Sequence, residues 1–377
     1  MKIERIEVRA VAPPVERFTW SDDLPDQYAT NTVVRIFTDD GVEGVAGVWN
    51  ATSFDYERYT AETIRHLAPI LIGRDPLDRD AIWQDIRPRV FPLPPQALAA
   101  LDIALWDLGG KVTGQPLYKM LASTPGKARD RIPAYASTPL FKDVQAYLDS
   151  VEELRAMGFK AIKFHTWCIP ELDLELARAV RKTYPDDDVA FMLDAENNYD
   201  YSGALRVAQE LEEMGFRWFE APLHDSDLEG YRALTKAVSI PIIPSGNWFM
   251  ELHSFREAIN TKAWGAARMD VAMMGGLTQA RQAMDITVEA GLNCEVMAWG
   301  FSLVSAANLH LMLAYDNCSF FEQAIPYEPY EYGMKDVIRT QPDGHVYAPE
   351  KPGLGLEVDW PAMESATLHS FVVDSRG

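Results

Sequence analysis

The stretch that decides the fold is residues 159–322, in which short apolar runs each end on polar or charged residues. Seven runs follow one another here: AIKFH (161–165), VAFMLD (189–194), RWFE (217–220), IPIIPS (240–245), AARMD (266–270), CEVMAW (294–299) and CSFFE (318–322). An eighth run, RIPAYAS (131–137), precedes them, and corresponding positions of successive runs lie 25–31 residues apart. This interval accommodates a strand, a helix and two turns, so the pattern predicts a parallel sheet built from alternating strands and helices.

The segments between these runs have helical patterning, as in LDLELARAVRKTY (172–184) and GALRVAQELEEMG (203–215). Eight strands with intervening helices predict closure into an α/β fold, a TIM-like barrel of (β/α)7β type. Such barrels keep their active sites at the carboxyl ends of the strands. Four carboxylates and a Lys/His pair would meet at this rim, although strand-end capping would also place polar residues there.

A different pattern occupies the N-terminal part of the chain. MKIERIEVRAV (1–11) alternates like a half-buried strand, and TVVRIFTDDGVEGVAGVW (32–49) predicts a hairpin with its turn at Asp40 and Gly41. Helical segments follow. We therefore predict an α+β capping domain over residues 1–130, completed by the C-terminal segment 345–377, and a barrel domain over residues 131–344.

Composition narrows the class of partner. Acidic residues outnumber basic ones by 56 to 35, which gives a net charge of −21 and argues against nucleic acid or an anionic membrane as a partner. No apolar run approaches the roughly 18 residues of a membrane span. The three cysteines, Cys168, Cys294 and Cys318, are widely separated and show no metal-type spacing. The cysteine usage fits a reducing cytoplasm, so we predict a cytoplasmic protein.

Two further segments, ALDIALWDLGGKVTGQPLYKML (100–121) and PGLGLEVD (352–359), together with the strand-end residues, resemble the enolase superfamily in its mandelate racemase and muconate lactonizing branch. The resemblance spans essentially the whole chain. It implies capping loops that close over the barrel mouth, here including Arg17 and Trp20 as substrate-binding candidates. It also implies a small carboxylate substrate, a divalent metal (usually Mg²⁺) and a homo-oligomer, either dimer or octamer.

The family places three metal-binding carboxylates at the ends of barrel strands three, four and five. Asp194 and Glu220 match the first two, whereas Gly246 occupies the third position. Glu196 follows Asp194 by two residues and would point to the same side of an extended segment, unless it is simply a solvated loop carboxylate. We expect one weakly held Mg²⁺ bound by Asp194, Glu220 and Glu196, with water and Asn247 as neutral oxygen donors. Asn247 is also a substrate-binding candidate.

In the family, a K-x-K motif on the second strand commonly supplies the catalytic base. Here the motif reads Lys163-Phe164-His165, so His165 stands at the base position and Lys163 is a cation beside the substrate carboxylate. We expect the nearby cations to disfavour protonated His165 and to lower its pKa. A barrel-rim histidine with a purely structural role is the alternative.

In the family, racemases and many dehydratases use an Asp–His dyad from strands six and seven as an acid/base pair, and in this chain that dyad is incomplete. Asp270 matches its Asp and remains a catalytic candidate, but Met297 replaces the His, and a thioether cannot transfer protons. Glu322 matches a strand-eight carboxylate that binds substrate oxygen, and Trp299 is a candidate pocket wall. A single base favours a metal-assisted lyase, a dehydratase that removes the α-proton of a small hydroxy carboxylate such as an acid sugar. The alternatives are an epimerase, racemase or cycloisomerase, and a non-catalytic ligand-binding relative with a degraded metal site.

Overall fold

The structure is a computed structural model that describes residues 1–14, 31–49, 58–90, 95–122, 127–185, 188–247 and 251–375. Arg17 and Trp20 lie outside these ranges. Within them, no helix has both the length and the apolar character needed to cross a membrane.

The described residues of the N-terminal part form three strands and four α-helices. In chain order they are β1 (Ile3–Val11), β2 (Asn31–Thr38), β3 (Glu43–Trp49), α1 (Arg58–Leu67), a 3₁₀ turn (Ala68–Ile70), α2 (Arg79–Val90), α3 (Gln96–Thr113) and α4 (Leu117–Leu121). The predicted hairpin is confirmed, because β2 pairs antiparallel with β3. Its turn places Gly41 at φ +84°, a conformation that glycine adopts without steric cost.

Helix α3 joins this part to the barrel and is buried over most of its length. The carboxylate of Asp107 accepts hydrogen bonds from the backbone N–H of Val45 and of Leu354, both at 2.8 Å. One buried side chain thus connects β3, α3 and the C-terminal segment. The helix ends at Thr113, and the following Gly114 adopts a left-handed conformation with φ +66°, which glycine accommodates.

In the described part of the barrel region, eight parallel strands and seven helices alternate next. The strands are β4 (Arg131–Ser137), β5 (Ala161–His165), β6 (Ala190–Asp194), β7 (Phe219–Glu220), β8 (Ile242–Ile243), β9 (Ala267–Met269), β10 (Cys294–Val296) and β11 (Phe321–Ala324). The helices are α5 (Val144–Ala156), α6 (Pro170–Thr183), α7 (Tyr201–Glu213), α8 (Leu228–Ala237), α9 (Leu252–Asn260), α10 (Leu277–Glu289) and α11 (Ser302–Ala314). This order confirms the predicted (β/α)7β arrangement.

Strand pairing follows the order β11-β4-β5-β6-β7-β8, and β9 pairs separately with β10. Single backbone hydrogen bonds cross the two remaining gaps. The N–H of Gly265 donates to the carbonyl of Ile242, and the N–H of Cys294 donates to the carbonyl of Asn317, each at 2.8 Å. All eight strands therefore direct their carboxyl ends to the same rim.

The C-terminal segment contains α12 (Glu328–Glu331), β12 (His345–Tyr347), α13 (Trp360–Ser365) and β13 (Thr367–Asp374). Strand β13 pairs antiparallel with β1 and extends the N-terminal sheet to the order β13-β1-β2-β3. Strand β12 instead pairs antiparallel with β4 of the barrel. Residues 345–375 thus contact both parts of the molecule, and the domain boundaries at 130 and 344 stay a prediction.

Candidate active site

The barrel brings the polar strand ends together because neighbouring strands are in register. His165 of β5 lies opposite Asp194 of β6, and Asp194 lies opposite Glu220 of β7. On the other side of β5, β4 pairs with β11, which carries Glu322. The predicted convergence of these side chains on one rim is therefore observed.

Lys163 lies at the centre of this rim with its side chain 1% exposed. Its ammonium contacts Asp194 Oδ2 at 3.0 Å, Glu220 Oε1 at 2.8 Å and Glu322 Oε1 at 3.0 Å. Burial lowers the pKa of Lys163, but the charges of Glu220 and Glu322 outweigh it and raise that pKa well above its usual range. The ammonium therefore faces protein carboxylates.

Arg268 of β9, which the strand-end pattern did not single out, is the second buried cation. Its Nε lies 2.8 Å from Glu220 Oε1, and its Nη2 donates to Glu322 Oε2 at 2.9 Å. The side chain is 1% exposed. We call Lys163, Arg268, Glu220 and Glu322 the inner cluster. The arginine within the apolar run AARMD could have been predicted from the sequence as a site residue, because a buried charge on a strand needs an oppositely charged partner.

Both glutamates of the inner cluster also accept hydrogen bonds from other protein groups. Glu220 Oε2 accepts from the indole N–H of Trp218 at 3.2 Å. Glu322 accepts from the Ser137 hydroxyl and from the Ala298 N–H, each at 3.1 Å. Burial and the charge of Asp194 raise the pKa of Glu220, although the charges of Arg268 and Lys163 oppose the rise. Although burial opposes it, the charges of Arg268 and Lys163 hold the pKa of Glu322 well below its usual range.

His165 lies beside the inner cluster with one nitrogen fixed by the backbone. Its Nδ1 is 2.6 Å from the Thr138 carbonyl, which can only accept, so Nδ1 carries a proton. Its Nε2 lies 3.3 Å from both Asp194 Oδ2 and Glu196 Oε1. Burial lowers the pKa of His165, but hydrogen bonding to Asp194 and its charge raise it overall. The expected lowering was wrong, because carboxylates are the nearest charges to Nε2.

We call His165, Asp194 and Glu196 the outer trio. Glu196 turns toward His165 through a left-handed backbone conformation at φ +49°, and its N–H donates to Asp194 Oδ1 at 3.0 Å. Its side chain is 43% exposed, so water tempers the rise in its pKa that burial and Asp194 cause. Among the described residues, this trio is the group whose potential ligand atoms all lie within 4.8 Å of one another. Glu220 does not join it.

The family's magnesium shell requires a third carboxylate after Asp194 and Glu220, and the residues that the structure describes at the end of β8 do not provide one. Gly246 stands at that position with φ +81°. A Cβ added there would lie 3.0 Å from Arg268 Cγ and 3.1 Å from Met269 N. Since Glu220 contacts two cations and an indole N–H, the residues present do not fit a three-carboxylate magnesium site.

The predicted catalytic Asp270 lies farther along the rim. Its Oδ1 accepts from the Ala272 N–H at 2.8 Å and from the side-chain amide of Asn308 at 3.0 Å. Burial raises the pKa of Asp270 to about 6. Asn308 of α11 thus gives Asp270 a hydrogen-bond partner, which Met297 cannot do. An amide holds the carboxylate in place but does not act as an acid or a base. The catalytic role of Asp270 stays a prediction.

Aromatic side chains form one wall of the site. The Trp299 ring lies edge-on to His165, with centroids 5.4 Å apart, and Tyr330 packs against Trp299 at 5.5 Å. Trp49 of β3 contacts Tyr330 at 6.2 Å, so the N-terminal sheet reaches this wall. Asn247 is half-buried near the end of β8, and its N–H donates to the Ser245 hydroxyl at 3.2 Å.

Comparison with known proteins identifies the class. Residues 6–122 match the mandelate racemase/muconate lactonizing enzyme N-terminal domain, and residues 146–362 match the enolase C-terminal domain-like family. The chain therefore belongs to the mandelate racemase/muconate lactonizing enzyme branch of the enolase superfamily.

Particular relatives show which chemistry occurs in this branch. A crystal structure from Pseudovibrio sp., described as a mandelate racemase/muconate lactonizing enzyme, superposes with a TM-score of 0.95 at 36% identity and covers 99% of both chains. D-glucarate dehydratase from Agrobacterium tumefaciens, complexed with magnesium, gives a TM-score of 0.82 at 29% identity over 98% of this chain and all of that one. D-galactarolactone cycloisomerase of Agrobacterium fabrum is 26% identical and covers 88% of this chain and 90% of its own.

Proposed function

We propose that this protein is a lyase, a dehydratase that removes the proton α to the carboxylate of a small hydroxy acid, with an acid sugar as its substrate. The observation that carries the proposal is the geometry of His165. The Thr138 carbonyl holds Nδ1 in its protonated form, which leaves Nε2 as the nitrogen that exchanges a proton at the rim. The relatives that act on acid sugars support the substrate class.

A single base suffices for this reaction. His165 Nε2 accepts the α-proton, and the electron pair of the broken C–H bond forms the double bond of an enediolate. The same proton then passes to the β-hydroxyl, which leaves as water. Asp194 and Glu196 stabilise the imidazolium between these two steps, since each lies 3.3 Å from Nε2.

Two other features suit this chemistry. The enediolate carries more negative charge than the substrate, and the buried cations Lys163 and Arg268 of the inner cluster supply positive charge at the same rim to stabilise it. Trp299 covers one edge of the imidazole and limits its access to water. Magnesium accompanies the related glucarate dehydratase, but no step proposed for this chain uses an ion. A cytoplasmic location and a homo-oligomeric state also stay predictions.

A cycloisomerase is the second candidate, because a relative carries that activity and Met297 leaves the site with one proton-transfer group here too. Opening a lactone by β-elimination would expel a carboxylate instead of hydroxide. The products separate the two reactions, since dehydration releases one water and isomerisation leaves the mass unchanged. Epimerisation would instead require a second proton donor on the opposite face of the substrate.

The test is a screen of acid sugars and their lactones in deuterated water, followed by NMR and mass spectrometry. For the substrate that the screen identifies, His165→Asn should slow α-proton exchange by about 10²–10⁴-fold. The control His224→Asn, at an exposed histidine, should exchange at the wild-type rate. Wild-type exchange in the His165 variant would move the base elsewhere. Failure of every acid sugar and lactone would oppose the substrate class.

A further inference from the structure

We infer that Arg268 takes the place of the divalent ion in this protein, so that the guanidinium supplies the charge and the site needs no metal. The inference concerns the charges at the rim. It rests on the proposed function only for the enediolate that this charge would stabilise.

The space for the ion's third ligand is filled by Arg268. At Gly246, an added Cβ would approach Arg268 Cγ to 3.0 Å, and the left-handed φ of +81° disfavours any side chain. A glutamate here would therefore compete with the arginine for the same volume. The absence of a side chain at Gly246 therefore leaves the space that the Arg268 side chain occupies.

The oxygens that would bind the ion already have cationic partners. Glu220 Oε1 lies 2.8 Å from both Lys163 Nζ and Arg268 Nε, and its other oxygen accepts from Trp218. A divalent ion at Glu220 would displace these contacts and face two buried positive charges. Repulsion between like charges is strong where water is excluded, so this arrangement opposes ion binding.

The proposed exchange, in which a glycine and an arginine replace a glutamate and a divalent ion, also conserves charge. A glutamate together with a divalent ion carries one net positive charge, and so does a glycine together with an arginine. Because guanidinium remains protonated and bridges carboxylates with fixed geometry, it can hold Glu220 and Glu322 in place as well. The substitution at 246 thus preserves the electrostatic balance of the rim.

The primary test uses the wild-type protein after dialysis against a chelator. Titration with Mg²⁺ and then Mn²⁺ by calorimetry should show no saturable binding, and the Tm should be the same with and without chelator. One bound ion per chain that is lost in Glu220→Gln would overturn the inference. Binding that survives Glu220→Gln but is lost in Glu196→Gln would place an ion at the outer trio and would overturn it too.

A second test reverses the exchange. The double variant Gly246→Glu/Arg268→Met should gain Mg²⁺ binding, with a Tm rise on the order of 5 °C at about a hundredfold excess of Mg²⁺ over its Kd. Adding Glu220→Gln should remove the gain. A folded double variant that binds no Mg²⁺ would contradict the exchange. If it does not fold, the wild-type titration alone decides. Neither test needs a substrate, so both are independent of the proposed reaction.

Discussion

The inner cluster and the outer trio lie side by side on the rim but differ in construction. Side chains of the inner cluster are 1–3% exposed, and their ion pairs measure 2.8–3.0 Å. In the outer trio, Glu196 is 43% exposed and the contacts to His165 measure 3.3 Å. Closely paired, dry charges hold a fixed electric field, whereas a more loosely paired histidine beside an exposed carboxylate can exchange protons with a substrate. The proposed reaction would use the inner cluster for charge stabilisation and the outer trio for proton transfer.

The largest effect should follow from breaking the inner cluster. Arg268→Met leaves Glu220 and Glu322 with one buried cation, so the free energy of unfolding should fall by about 3–5 kcal/mol. The control Arg256→Met removes an exposed ion pair with Glu289 and should cost less than about 1 kcal/mol. Urea unfolding followed by circular dichroism measures both. Equal losses in the two variants would show that the inner cluster is no better paired than the surface.

The pH dependence of stability tests a third part of the rim, Asp270. Burial raises its pKa from 3.8 to about 6, so the folded chain binds this proton more tightly than the unfolded chain. The resulting stability is present below pH 4 and is lost as the pH rises through 6, on the order of 3 kcal/mol in total. Asp270→Asn should lack this decline. Unfolding curves from pH 4 to 7 give the difference between the two proteins, and parallel profiles would contradict the prediction.

A smaller effect should follow from loosening the outer trio through its backbone. The buried hydroxyl of Tyr147 donates to the His165 carbonyl at 2.6 Å and accepts from the Phe141 N–H at 3.2 Å. Tyr147→Phe should therefore cost about 1–2 kcal/mol of stability. Tyr201→Phe, at a residue 39% exposed, is the matched control and should be nearly neutral. If the Tyr147 variant were as stable as that control, the Tyr147 hydroxyl would not stabilise the backbone at His165.

The smallest effect should come from Glu196 itself. Because it is exposed and screened by water, Glu196→Gln should change the free energy of unfolding by less than about 1 kcal/mol. Glu220→Gln, the inner counterpart, should cost several times more, on the order of 3 kcal/mol, because it unpairs two buried cations. Chemical denaturation of both variants compares the regions directly. A larger loss at Glu196 would reverse the proposed division of the rim.

The sequence by itself determined the barrel and the residues that line its rim. A spacing of 25–31 residues between apolar runs requires strand–helix alternation, and parallel strands place their carboxyl ends together. The positions of Lys163, His165, Asp194, Glu220 and Glu322 at the rim therefore follow from the order of residues along the chain. The replacements at Gly246 and Met297 were visible from the resemblance to the family, which gives the residue expected just after each strand.

Only the tertiary structure decided which of these charges pair. Arg268 forms ion pairs with Glu220 and Glu322, which lie on strands distant in sequence. Spacing along the chain does not reveal which side chains of different strands meet. The turn of Glu196 toward His165 depends on a left-handed residue that an alternating strand pattern does not predict. The pairing of β13 with β1 likewise joins the two ends of the chain. Each of these features arises from side chains or strands that meet only when the whole chain has folded.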